Sequence, residues 1–232
     1  MSLRTIAQRL RRNLNEMRGA EIPLPVDFTI DRLHLGSEYG GWVIAPSMLP
    51  PNPIVFSIGL GTDITFDLAI IEKFNARVFG FDPTPKSEKF IRAQTLPKNF
   101  TFVPIGLADF DGEMTFQLGN ANYDSYSTDT RYANPADTVT CSVARLTSLM
   151  NRVGVDHIDI LKMDIEGGEY AVMRDVLSSK TSIRQLLVEL HYDKSSDQLT
   201  RAKDLVEMIR EAGFKLFDRS PVGKELSFIR QD

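Results

Sequence analysis

Ile54-Val55-Phe56-Ser57-Ile58-Gly59-Leu60-Gly61-Thr62-Asp63-Ile64 sets the architecture of this 232-residue chain. An apolar, partly β-branched run stops at two glycines, and helical apolar spacing takes over across 64–74. Strand, tight turn and helix in that order form the first half of a parallel β-α-β unit. The breaker segment Pro50-Pro51-Asn52-Pro53 marks where the strand begins.

Outward from this stretch the theme repeats. Strands are predicted over 77–81, 100–103, 158–163 and 186–189, and helices over 86–94, 170–177 and 197–212, the last closed by Gly213. Such alternation reads as a doubly wound, mostly parallel α/β sheet of Rossmann-like type, with helices on both faces. The segments 214–217 and 226–229 are joined through Ser220-Pro221-Val222-Gly223 with no helix between them, which predicts an antiparallel hairpin at one edge. Extra β pieces are expected over 112–118 and 138–143. Between them 119–137 is polar and carries Tyr123, Tyr126 and Tyr132, a candidate lid or substrate loop.

Composition narrows the class. Hydrophobic residues make up 42% and charged residues 25%, with 27 basic against 31 acidic side chains and a net charge of -4. No global positive field draws in a polyphosphate, so nucleic acid is not an expected partner. The single cysteine, Cys141, allows neither an internal disulfide nor a thiolate zinc cluster, and a cytoplasmic setting is expected. No apolar run reaches the length of a membrane span. Residues 1–35 read as a helical extension ahead of one domain over 36–232. Leu3, Ile6, Leu10, Leu14 and Met17 form its apolar stripe, while Arg4, Arg9, Arg11, Arg12 and Arg18 fill other faces. Packing of this helix on the domain or on a second subunit, giving a homodimer, is the plainer expectation; a membrane-surface or nucleic-acid arm is the sharper one.

The chemistry is expected beyond the carboxyl ends of the strands. Gly59-Leu60-Gly61 permits close backbone approach to a ligand, but the third glycine of a dinucleotide fingerprint is replaced by Ile64. Asp63 places a negative charge where a pyrophosphate would lie, which favours a cationic ligand such as S-adenosylmethionine over NAD. Asp82-Pro83 ends the next strand at the spacing of a ribose-binding acid. Further on, Asp164, Glu166 and Glu169 crowd one strand-to-helix junction; Glu169 suits the helix first turn, leaving Asp164 and Glu166 to face the crevice. Alternation puts Glu189 and His191 on one side of the following strand end.

Assembled, these residues resemble the FkbM-type class I S-adenosylmethionine-dependent methyltransferases over 36–230. The stretch from Asp159 to Glu169 matches the family signature D-x-x-K-x-D-x-E-G-x-E, supported by Phe81-Asp82-Pro83, Gly106-Leu107-Ala108-Asp109 and Val188-Glu189-Leu190-His191. The resemblance implies a seven-stranded sheet and methyl transfer to oxygen of a small hydroxylated acceptor, a sugar or secondary metabolite. It also implies a cofactor site of Gly59, Leu60, Gly61, Asp63, Asp82, Pro83, Leu107 and Asp164, with Leu107 near the adenine. Ser57 stands where the family usually has an acid, and Asp63 is the expected substitute. His191 is the candidate base, oriented by Glu189 or Asp164. Asp164, Glu166, Glu189 and His191 also carry donors suited to a magnesium- or manganese-like ion, a lesser reading because methyl transfer needs no metal. The alternatives are a non-catalytic S-adenosylmethionine-binding scaffold and, less favoured, an NAD-linked oxidoreductase.

Overall fold

The computed structural model describes residues 3–119, 126–127 and 133–230, with side chains for these except 118, 119, 126, 127 and 133–137. Helix α1 (Leu3–Met17) precedes a two-stranded ladder of β1 (Leu33–Leu35) and β2 (Trp42–Ile44). Next come β3 (Ile54–Ile58), α2 (Thr65–Phe74), β4 (Arg77–Phe81), α3 (Pro85–Arg92) and β5 (Phe100–Val103). β6 (Gly106–Leu107), β7 (Gly112–Gly119), β8 (Tyr126–Ser127) and β9 (Ala133–Ala144) lead to α4 (Leu146–Val153). β10 (His157–Met163), α5 (Glu169–Ser178), β11 (Ser182–Glu189), α6 (Ser196–Glu211), β12 (Phe214–Arg219) and β13 (Glu225–Arg230) follow.

Seven strands form the central sheet in the order β12-β13-β11-β10-β3-β4-β5. β11, β10, β3, β4 and β5 run parallel, and β13 pairs antiparallel with both β11 and β12. The expected doubly wound sheet with its edge hairpin is therefore present. From β3 the chain spreads one way through β4 and β5, then returns to spread the other way from β10. The crevice at this switch point, outside the carboxyl ends of β3 and β10, is where such sheets bind ligands.

Alternation along each central strand explains the two helical layers. Ile54, Phe56 and Ile58 of β3 share one core layer with Leu149 of α4, Met173 of α5 and Val206 of α6. Val55 faces the opposite layer, with Phe66 and Ile70 of α2 and Ile91 of α3. Each such fully buried side chain contributes about 1.5–3 kcal/mol. Phe56 also meets the rings of Phe79 and Phe81 at 5.5 Å and 5.0 Å between centroids. Helix ends follow local chemistry: Thr84 accepts from Ser87 N ahead of Pro85, and α4 stops at Gly154 with φ 70°.

Several elements lack a legible pattern. α4 is only eight residues long, and β1, β2 and β6 are two or three. β11 starts four residues before its predicted beginning, because Arg184 and Gln185 mask the strand. Gln185 is fully buried at no cost in unmade hydrogen bonds: its amide pairs with both N and O of Ala45, each at 2.9 Å. The expected β pieces form a second sheet, order β6-β9-β7-β8, with Gly112 opposite Val143 and Gln117 opposite Thr138. Of the candidate lid, Tyr123 and Tyr132 lie outside the described residues; Tyr126 is placed by its backbone alone, opposite Leu118. No helix among the described residues is long and apolar enough to cross a membrane.

Candidate active site

The glycine turn after β3 is held from three sides. Gly59 (φ 75°) and Gly61 (φ 55°) take the left-handed conformations that glycine adopts without strain. Gly59 N donates to Phe81 O at 2.9 Å, while Asp164 N donates to Ile58 O at 3.1 Å. Beneath, the buried Lys162 ammonium donates to Gly59 O at 2.5 Å, an arrangement that gives the signature lysine a structural task at the site. From β4, Asp82 Oδ2 accepts from both Leu60 N and Gly61 N at 3.0 Å. Its Oδ1 accepts from Thr84 N at 2.9 Å and Thr84 Oγ1 at 2.7 Å. A carboxylate offers about four lone-pair sites, and these four donors fill them. The acid expected to offer both oxygens to a ribose thus ties two strand-end turns together.

Asp63 also borders the cleft with its carboxylate engaged. Oδ1 accepts from Thr65 N and Oγ1 at 2.8 Å and 2.6 Å, and Oδ2 from Ser37 Oγ at 2.7 Å. Burial works against its charge, but these bonds outweigh it and hold the carboxyl below its ordinary range. Asp63 therefore ties the first residue of α2 to the loop before β2. Ser57 is fully buried within the sheet, beside Lys162 in register. Asp67 of α2 is buried too, and burial pushes its carboxyl up to about 6 against the pull of Lys162. Asp67 thus joins Asp63 and Asp164 as an acid near the signature lysine, and the sequence reading missed it.

The third part is a cluster around His191. Nδ1 lies 2.7 Å from Glu169 Oε1, whose side chain is wholly buried and which also accepts from Gly167 N at 3.1 Å. Nε2 faces Glu166 Oε2 at 3.3 Å, with Asp164 Oδ1 and Glu189 Oε1 each at 3.9 Å. Glu189 and Asp164, the expected orienting acids, are brought close; the hydrogen bond that fixes the ring comes from Glu169. Burial alone would lower the His191 pKa, but Glu169, then Asp164 and Glu166, overcome it and raise it to about 10. Glu189 is pushed up to about 8, first by burial and then by Asp164. Burial likewise raises Asp164, against Lys162 and His191. Asp164, Glu166 and His191 each bring one potential ligand atom within 4.8 Å of the others.

These parts line one cleft of about 1010 Å³. Gly59, Leu60, Gly61, Asp82 and Pro83 lie along it, as do Asp164, Glu189 and His191; Leu107 of β6 forms part of its wall. Trp42, Met114 and Phe116 add aromatic and apolar surface that no strand-end rule could locate. The arrangement suits a cation better than a phosphate. The turn amides that would cradle a pyrophosphate donate to Asp82, and the α2 N-terminus donates to Asp63.

AMB antimetabolite synthetase AmbE of Pseudomonas aeruginosa is 23% identical over 73% of this chain, which spans 10% of that protein. Probable methyltransferase-like protein 24 of Homo sapiens is 23% identical over 77% of this chain and 46% of its own length. The chain thus spans less than half of each of these curated relatives. Among solved structures, a Methanococcus jannaschii fibrillarin pre-rRNA processing protein superposes with a TM-score of 0.46 at 12% identity, covering 79% of this chain and 68% of its own. The sequence profile of the methyltransferase FkbM domain matches residues 21–216. That match takes in β3 through β11 and every strand end described above, and the chain belongs to the methyltransferase FkbM domain family.

Proposed function

We propose that the chain binds S-adenosylmethionine in this cleft and methylates an oxygen of a small hydroxylated acceptor. Family membership supplies the class, S-adenosylmethionine-dependent methyl transfer. The observation that carries the reading is the acidic crevice around His191, which faces a glycine turn whose amides are closed to phosphate. The cofactor's sulfonium methyl is the electrophile when bound. The glycine turn and Asp82 shape the nucleoside end, and the two Thr84 donors on Asp82 are the ones a ribose diol would replace. Leu107 walls the base. Asp164 and Glu166 balance positive charge, and His191 Nε2, made neutral when the cationic cofactor shares those carboxylates, receives the hydroxyl proton, a role worth ~10²–10⁴-fold in rate. A divalent ion at Asp164, Glu166, Glu189 and His191 is the lesser reading, because a protonated His191 already supplies the cluster's positive charge.

Calorimetry should give binding of S-adenosylhomocysteine and none of NADH; the reverse result removes the proposal and revives the oxidoreductase alternative. Mass-resolved methyl transfer to a panel of sugars and hydroxylated metabolites separates an enzyme from a binding scaffold, and exhaustive chelation is expected to leave that turnover intact. Asp82→Asn should weaken S-adenosylhomocysteine by roughly 10²-fold or more, since two hydrogen bonds to a charged acceptor at ~1.5–3 kcal/mol each are disrupted. Unchanged affinity in calorimetry would show that the turn holds its shape without Asp82.

A further inference from the structure

Helix α1 sits on the body the wrong way round for a packing helix. Its inward side is polar. Arg12 donates to Ser220 O at 2.7 Å and pairs with Glu16 at 3.4 Å, and Glu16 pairs with the buried Arg219 at 2.6 Å. Gln8, Arg12, Asn15 and Glu16 are half-buried on this face. The apolar stripe points out: Leu3 is 87% exposed, Ile6 43%, Leu10 59%, Leu14 46% and Met17 76%. No residue of the helix is buried. At about 100° per residue, exposed Arg9 lies along one border of this stripe, and Arg4, Arg11 and Arg18 lie along the other.

We infer that this stripe docks on an anionic lipid surface, with α1 lying in the plane of the interface. Apolar side chains facing outward, with Arg9 on one border and Arg4, Arg11 and Arg18 on the other, are the pattern of an interfacial helix, in which guanidinium groups reach the headgroups while the stripe enters the acyl boundary. A second copy of the chain is a poorer occupant. A two-fold antiparallel pairing of identical stripes sets each arginine border against its own copy. The helix has one acid, Glu16, and that acid is committed inward to Arg12 and Arg219. Like charges facing across both borders oppose such a dimer. Arg4 and Arg9 also border the cleft, so the docking face and the cleft share this helix.

Vesicle co-sedimentation of the full chain tests the inference, with one set of vesicles of phosphatidylcholine and another of equal parts phosphatidylcholine and phosphatidylglycerol. Binding is expected to the anionic set, at least tenfold weaker to the neutral set, and weakened by salt, since each arginine near a negative surface adds about fivefold. Leu10→Glu and Leu14→Glu, both at exposed positions, should abolish sedimentation with an unchanged circular dichroism spectrum and melting temperature. Arg9→Glu with Arg11→Glu should remove the preference for anionic vesicles. Absence of sedimentation with either set overturns the inference. If sedimentation velocity then shows a dimer that Leu10→Glu dissociates, the stripe belongs to a second copy. Equal binding to both sets also overturns it, since the arginines would then have no part.

Discussion

Gly59→Ala is expected to abolish S-adenosylhomocysteine binding and to lower the melting temperature well beyond the few degrees that Gly61→Ala should cost, while Gly61→Ala should leave binding nearly unchanged. The two glycines sit one residue apart in the same turn, and both have positive φ. Conformation alone therefore costs either variant about 1–2 kcal/mol. Surroundings separate them. A Cβ on Gly59 would lie 1.7 Å from the carbonyl oxygen of Asp164, while one on Gly61 meets nothing within 4 Å. That oxygen cannot retreat cheaply, because Asp164 N is bonded to Ile58 O and the two turns are stitched together. Relief requires β3 and β10 to part at the switch point, dragging Asp164 from the cluster and Gly59 O from Lys162. The expected loss of affinity exceeds 10²-fold. Calorimetry and thermal melting on both variants check it, and a Gly59→Ala protein that binds like Gly61→Ala would refute this account of the turn.

The contrast also marks where sequence reading succeeds. The sheet was legible because β3 is apolar but for Ser57 and β4, β10 and β11 each carry a short apolar run, so they announce themselves without reference to anything distant. The strand ends were legible because a parallel sheet sends them all to one side. The roles of the side chains there were less so. Asp82 and Asp63 read as ligand-facing acids, yet each is largely consumed by donors that only the folded loops bring near: Leu60 and Gly61 for one, Ser37 for the other. Glu169 shows the same limit more sharply. Its place at the start of α5 was foreseen from the helix dipole, but its bond to His191 spans 22 residues and depends on how β11 lies beside β10. Asp67 and Lys162 act from beneath the turn, where local pattern carries no information about depth. The apolar stripe of α1 was visible as a stripe, and its outward direction was not, because polar anchors such as Arg219 arrive from the far end of the chain.

His191→Ala should cut turnover by ~10²–10⁴-fold and leave S-adenosylhomocysteine binding within a few-fold. It should also reduce the dependence of S-adenosylmethionine affinity on pH, leaving the part that Glu189, pushed up to about 8, contributes. The sign follows from the cluster. With Glu169, Asp164 and Glu166 around it, His191 keeps its proton until about pH 10. A cationic ligand sharing those carboxylates favours the neutral ring, so His191 gives up its proton more readily in the complex than in the free protein. Between the lowered and the raised pKa, binding releases a proton, and affinity for S-adenosylmethionine must rise with pH, approaching tenfold per unit at full release. S-adenosylhomocysteine lacks the sulfonium charge and should show a shallower slope. Released protons are counted by repeating the calorimetry in buffers of different ionisation enthalpy. Glu169→Gln removes the nearest anion and the ring's fixed partner, so His191 should deprotonate at lower pH and the slope should move down the pH scale with it. A purely structural His191 would lower the melting temperature without touching either slope. The same neutral ring that the complex favours has its Nε2 lone pair open toward the cleft, which is the state a base must be in to take the acceptor's proton.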